Sequence, residues 1–148
     1  MKYSWLITGG CGFIGTALIK KLLQEGFLNI RIIDNLSIGS KNNIKEISNF
    51  HEIKIDQIKD RPKGVELIVG DVKDNELAIA ACKGCDVIVH LAANTGVGPS
   101  VENPRLDMLV NVMGTFNYLE AARIQKVSRF IFASSGAPAG EVKPPIHE

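Results

Sequence analysis

The chain carries three cysteines, one tryptophan and two tyrosines among 148 residues. A small, odd cysteine count offers no disulfide framework. Net charge is +1, which excludes the strongly basic footprint of a nucleic-acid binder or a protein drawn to anionic membranes. No apolar run approaches the ~18 residues of a membrane-spanning helix. The first residues lead directly into an apolar strand, without a signal-peptide pattern. Internal repeats, low-complexity tracts and interdomain linkers are also lacking. What remains is 45% apolar and 22% charged residues, the composition of one globular domain, residues 1–148, expected in the cytoplasm.

Against that plain background stands Thr8-Gly9-Gly10-Cys11-Gly12-Phe13-Ile14-Gly15, a glycine-rich turn between an apolar strand and an amphipathic stretch. Unpaired N–H groups and the dipole at such a helix start favour an anion. One glycine permits the turn, one lets backbone approach a pyrophosphate, and one allows helix and strand to pack closely. Apolar residues at Phe13, Ile14, Ala17, Leu18, Leu22 and Leu23 recur at helical spacing and predict a buried stripe. A second strand, Ile30-Arg31-Ile32-Ile33-Asp34, ends in a carboxylate nineteen residues past Gly15. An acid there accepts from both hydroxyls of an adenosine ribose and repels a 2′-phosphate, so the pattern predicts NAD rather than NADP.

Strand and helix signals then alternate. Strands are expected at 3–8, 30–34, 65–69, 87–91 and 129–133, and helices at 13–25, 42–48, 75–82 and 104–125. Val- and Ile-rich strands with little alternation imply a parallel sheet covered on both faces. The expected fold is α/β, a Rossmann-type doubly wound sheet of five strands in the order 3-2-1-4-5. The polar segment 51–63 reads as a surface excursion. Asn103 and Pro104 suit the start of the long helix. Its stripe of Leu106, Leu109, Val110, Met113 and Phe116 is expected first to pack on the sheet, any excess serving a partner.

Ligands of such a sheet bind beyond the carboxyl ends of its strands. Gly70-Asp71-Val72, the segment from Leu91 to Gly96 and Ser134-Ser135-Gly136-Ala137 are therefore candidates. Asp71 can accept from an adenine amino group. His90 is read as packing at its strand end rather than as an acid–base group, and His147 carries no signal. Cys82-Lys83-Gly84-Cys85 has redox spacing but falls at a helix end, where the dipole disfavours a thiolate. It is read as structural, and Cys11 as a small filler.

These segments, together with Asp34-Asn35-Leu36-Ser37, His90-Leu91-Ala92-Ala93, Asn111 and Gly114-Thr115, resemble the extended short-chain dehydrogenase/reductases. Within them the chain is similar to the NAD-dependent nucleotide-sugar epimerase/dehydratase group, in order and along its whole length. The resemblance implies that Gly9, Gly12, Phe13, Ile14 and Gly15 cradle the pyrophosphate of NAD. Asp34, Asn35 and Ser37 would surround the adenosine ribose, and Asp71 and Val72 would meet adenine. Leu91, Ala92 and Ala93 would line the path to the nicotinamide, with Ser134 in the same pocket. Ser135 would be the catalytic serine at the sugar hydroxyl, and Asn111 would fix the helix beneath the site.

The same family relies on a Tyr-x-x-x-Lys pair, tyrosine as base and lysine as its activator. Tyr3 and Tyr118 are followed four residues on by Ile7 and Ala122. Positioned proton transfer contributes about 10²–10⁴-fold, so the 148 residues are expected to be the cofactor-binding part of a longer enzyme and inactive alone. The implied activity is an epimerase acting on a nucleotide sugar, with NAD taking and returning a hydride. Alternatives are a dehydratase, disfavoured because Ser135-Gly136-Ala137 lacks a carboxylate, a dehydrogenase or reductase, and a non-catalytic NAD sensor. A homodimer through the long helix is a further implication.

Overall fold

A computed structural model describes residues 3–136 and Gly140. Among the described residues six parallel strands form one sheet: β1 (Trp5–Thr8), β2 (Ile30–Asp34), β3 (His51–Glu52), β4 (Val65–Val69), β5 (Val87–His90) and β6 (Arg129–Phe132). Their order is β3-β4-β2-β1-β5-β6. This corrects the expected count of five and the order 3-2-1-4-5. The added strand lies inside the segment read as an excursion. His51 and Glu52 pair with Glu66 and Leu67, and the Ile53 N–H donates to the Leu67 carbonyl at 2.9 Å. Two exposed polar residues at a sheet edge carry no hydrophobic signature, so pairing alone defines them.

The apolar strand runs follow from burial on both faces. Leu6, Ile33, Ile68 and Ile88 join a cluster beneath α3 (Asn75–Ala81) and α6 (Thr115–Gln125), with Leu77, Tyr118 and Ala121. Their neighbours Ile7, Ile32, Leu67 and Val89 join a second cluster with Ile19 and Leu22 of α1 (Phe13–Gln24) and Ile44 of α2 (Lys41–Lys45). Alternate residues of each strand thus feed opposite cores.

Two helical stripes differ from expectation. On α1 the buried positions are Gly15, Ile19 and Leu22, while Phe13 and Ile14 are 93% and 63% exposed. The first turn thus presents these side chains to solvent rather than to the sheet. A separate short helix, α4 (Val97–Glu102), precedes the long helix, which starts at the expected Pro104 as α5 (Pro104–Asp107) and widens into a π-turn segment at Met108–Gly114 before α6. Asn103 caps α5 through a 3.0 Å bond from the Leu106 N–H, with Pro104 in its first turn. Gly114, Asn117, Tyr118, Ala121 and Ala122 form its buried face. Leu106, Met113 and Phe116 of the expected stripe are exposed, because small residues bring this helix close to α3 and Val72. A Cβ on Gly114 would stand 2.7 Å from Val72 Cγ2.

Strand order reverses between β1 and β5. From β1 the strands proceed to β2 and β4 on one side, and from β5 to β6 on the other. Thr8 and His90 are register partners at the carboxyl ends of that central pair, where an open parallel sheet places its ligand crevice. No helix among the described residues is long and apolar enough to cross a membrane.

Candidate dinucleotide cleft

Past Thr8 the chain turns through Gly9, whose φ of +67° suits glycine. The Gly9 N–H donates to the Ile33 carbonyl at 2.8 Å, and the Gly9 carbonyl accepts from the Gly12 N–H at 3.1 Å. A Cβ on Gly9 would come within 2.8 Å of the Ala92 nitrogen, so the segments after β1 and β5 meet backbone to backbone. Helix α1 then begins at Gly12 with no side-chain cap and no acid in its first turn. Its leading N–H groups are left for an anion. With the Phe13 and Ile14 side chains in solvent, whatever these residues offer such an anion comes from their backbone.

Beside this helix end lies a cleft of about 350 Å³ lined by Gly9, Gly12, Asp34, Asn35, Ser37, Asp71, Val72 and Leu91–Ala93, among others. Asp34 is 8% exposed. Its Oδ2 accepts from the Cys11 N–H at 2.9 Å and its Oδ1 from the Leu36 N–H at 2.8 Å. Two backbone donors fix the carboxylate's orientation and leave it lone pairs for further donors. Asn35 accepts from the Ser37 N–H at 3.0 Å, shaping the loop that follows. Asp71 shares its carboxylate with the Lys73 N–H at 3.0 Å and Lys73 Nζ at 3.4 Å. Val72 is 5% exposed, a floor rather than a contact of large area.

A second cleft, of about 630 Å³, shares Leu91–Thr95 with the first and continues along Asn111, Thr115, Phe132, Ser134 and Ser135. The structure thus brings both expected serines to one wall. Asn111, in the same lining, spends its amide on the loop after β5 and on Asp107. Its Oδ1 accepts from the Asn94 N–H at 2.8 Å, and its Nδ2 donates to the Asn94 carbonyl at 3.0 Å and Asp107 Oδ1 at 3.1 Å. Asn111 sits in the widened turn, a form that recurs at functional sites. Phe13, Ile14 and Gly15 lie outside both cleft linings; Gly15 instead seats the helix on the turn, a Cβ there falling 2.5 Å from Gly10 Cα and Gly9 O.

His90 is 1% exposed, with Tyr118, Phe130 and Phe132 rings 5.5, 6.1 and 6.2 Å away. Burial lowers its pKa to about 4, so it is neutral at pH 7. Because its folded value lies below the unfolded ~6.5, its contribution to stability is complete above pH 6.5 and fades as pH falls towards 4. The urea midpoint should therefore drop between pH 6.5 and 4.5 by the equivalent of roughly 2–3 kcal/mol. In His90→Phe that limb should flatten, and equal slopes would refute the assignment.

Burial pushes the Cys11 and Cys85 thiols up to about 12, and Cys82 higher. That is the reverse of what a nucleophilic thiolate needs. Among the described residues no group of three or more His, Cys, Asp or Glu could hold a metal. Ala137 and His147 lie outside the described residues. The sequence reading gives Asp107 no role and names Thr8, Asn94 and Thr115 only within their motifs; the spacing of Asp107 and Asn111, four apart on one helix face, was the available sign.

Comparison with known proteins agrees with this geometry. The family model described as the NAD dependent epimerase/dehydratase family matches residues 5–148. A putative UDP-glucose 4-epimerase of Methanocaldococcus jannaschii is 38% identical over 132 residues, covering 88% of this chain and 37% of the relative. The Thermus thermophilus UDP-glucose 4-epimerase, solved in complex with NAD, superposes with TM-score 0.78 at 35% identity, covering 98% of this chain and 42% of that one. The Thermotoga maritima UDP-glucose 4-epimerase, solved with UDP-glucose, gives 0.74 at 28% identity over 90% of this chain and 38% of that one. The chain spans about two-fifths of the length of such relatives. With turn, acid and serine wall in the order its sequence presents them, the chain belongs to the NAD dependent epimerase/dehydratase family.

Proposed function

We propose that the chain is the NAD-binding portion of a nucleotide-sugar epimerase, and that these 148 residues bind the cofactor without turnover. One observation carries the reading. The uncapped start of α1 and the doubly held Asp34 carboxylate open into the same cleft. The residues fit NAD. The N–H groups from Phe13 onwards would face its pyrophosphate, with Gly12 leaving room for it, Asp34, Asn35 and Ser37 would face its adenosine ribose, and Asp71 with Val72 its adenine. Leu91, Ala92, Ala93 and Ser134 lead to the nicotinamide. When bound, NAD supplies the hydride acceptor of the reaction. Ser135, on the wall of the wider cleft, would hydrogen-bond the sugar hydroxyl. The relatives' names favour a UDP-sugar as substrate.

Neither tyrosine serves as base. Tyr118 is fully buried, and that burial raises its pKa well above the ordinary phenol value. Tyr3 precedes β1, at the opposite end of the sheet from the cleft, under the Arg129 guanidinium. We place a homodimer contact on the exposed Val112, Phe116 and Leu119, checked by sedimentation of the wild type against Phe116→Ser.

Calorimetry tests the cofactor. NAD should bind at least about tenfold tighter than NADP, because the 2′-phosphate meets a fixed carboxylate. In Asp34→Ala the two affinities should fall within about threefold of each other. Equal affinities in the wild type, or no heat from either, would overturn the reading. Interconversion of UDP-glucose and UDP-galactose by the chain, lost in Ser135→Ala, would overturn its inactivity.

A further inference from the structure

We propose that His90 is a positioning residue: a single neutral tautomer that bridges Thr8 and Thr115 and so holds the Leu91–Ala92 backbone as the nicotinamide-facing wall. The proposal rests on the dinucleotide reading above and adds to it a residue that touches no ligand.

The direction of each hydrogen bond follows from its neighbours. The Thr115 hydroxyl donates to the Asn111 carbonyl at 2.7 Å, so its proton is spent. At 3.2 Å from His90 Nε2 it can only accept, and Nε2 therefore carries the hydrogen. Nδ1 is then a bare acceptor, 2.9 Å from the Thr8 hydroxyl, which donates to it. That leaves the Thr8 oxygen free to accept, as it does from the Leu91 and Ala92 N–H groups, both at 3.2 Å. Leu91 N–H also reaches the Thr8 carbonyl at 3.2 Å; Ala92 N–H goes to the hydroxyl.

The chain of bonds joins the parts of the site that must keep register. Thr8 precedes the glycine turn, Leu91 and Ala92 line both clefts, and Thr115 follows the widened turn in which Asn111 grips Asn94. With the other tautomer, Nδ1–H would compete with the Thr8 proton, and the two wall N–H groups would lose their fixed acceptor. Buried on all sides among aromatic rings, the imidazole has no solvent alternative.

The test uses the full chain with three substitutions at one position. His90→Phe keeps the ring stack and removes both bonds. His90→Asn places an amide oxygen near the Nδ1 position and restores an acceptor for Thr8, whereas His90→Gln places its amide near Nε2. NADH reports on the whole cleft through nicotinamide fluorescence, and ADP reports on the adenosine half alone. Expected is about tenfold weaker NADH binding in His90→Phe and His90→Gln, the scale of leaving a buried donor unpaired. ADP affinity should stay within twofold, and His90→Asn should recover most of the loss. In the wild type, nitrogen shifts of labelled histidine should show Nε2–H and bare Nδ1 at pH 7. An Nδ1–H tautomer, unchanged NADH affinity in His90→Phe, equal losses for NADH and ADP, or no rescue by asparagine would each overturn the proposal. Failure of the wild type to bind either probe would overturn the cofactor reading and this proposal with it.

Discussion

Gly12→Ala should weaken NAD binding by about a hundredfold while moving the thermal midpoint by no more than ~2 °C. The two effects separate because the protein's own packing asks only a small adjustment to admit a side chain at position 12. Its φ of −76° and ψ of 177° are open to any residue. An added Cβ would meet the Gly9 carbonyl oxygen at 3.3 Å, a tight contact relieved by a small shift of that oxygen. Alanine also narrows the unfolded ensemble, which offsets the small loss at the helix cap. On the proposed reading, the space at the head of α1 is kept for the cofactor's pyrophosphate, an anion that the adjoining N–H groups suit. Gly15→Ala is the contrast. There the Cβ would lie 2.5 Å from backbone atoms of Gly9 and Gly10, so the helix must lift from the turn. Stability should fall by about 1–3 kcal/mol together with NAD affinity. Calorimetry and thermal melts on both variants decide the matter. If Gly12→Ala binds NAD like the wild type, the helix end is not the phosphate site.

How much of this site could be read from the sequence depends on which forces act locally. The glycine turn, Asp34 and the two serines stand at strand ends, where chain position alone nearly fixes spatial position, so spacing located them. The core strands were equally plain, because burial on both faces leaves continuous apolar runs. His51 and Glu52 escaped notice because their pairing with Glu66 and Leu67 is a backbone property with no side-chain signature. The widened turn at Met108–Gly114 was hidden for a different reason. Its sequence is a good helix pattern, and only the partner found by the Asn111 amide, seventeen residues back at Asn94, marks it out. The helix stripe misled by its strength. Leu106, Met113 and Phe116 recur at helical spacing yet are exposed, while Gly114, Asn117, Tyr118, Ala121 and Ala122 make the buried contact. Asn117 bonds the Val72 and Lys73 carbonyls at 3.1 Å each. Close approach between helices selects small residues, and apolar periodicity cannot see them.

Arg31 is the residue whose role the sequence concealed most fully, and Arg31→Leu should destabilise the fold by about 3–5 kcal/mol. An arginine amid isoleucines in a strand invites the reading that it points to water. It is 1% exposed. Its Nη1 donates to the Ala81 and Lys83 carbonyls, both at 2.8 Å, its Nη2 to the Asp60 carbonyl at 2.8 Å, and its Nε to Glu66 Oε2 at 3.0 Å. The guanidinium thus gathers the end of α3, the loop before β4 and β4 itself around one positive charge. Carbonyls at a helix C-terminus suit such a cation in sign as well as geometry. Leucine fills the volume but strands three carbonyls and a half-buried carboxylate, and that loss of partners exceeds the gain in apolar contact. Lysine keeps the charge without the planar fork. It can satisfy only part of the set, so Arg31→Lys should recover less than half of the loss. Arg31 lies near the start of β2, at the opposite end of the strand from Asp34. NAD affinity measured on the folded variants should therefore stay within about twofold of the wild type. Urea denaturation of the three proteins reads the stability, and a loss below ~1 kcal/mol in Arg31→Leu would show that water replaces the guanidinium at little cost.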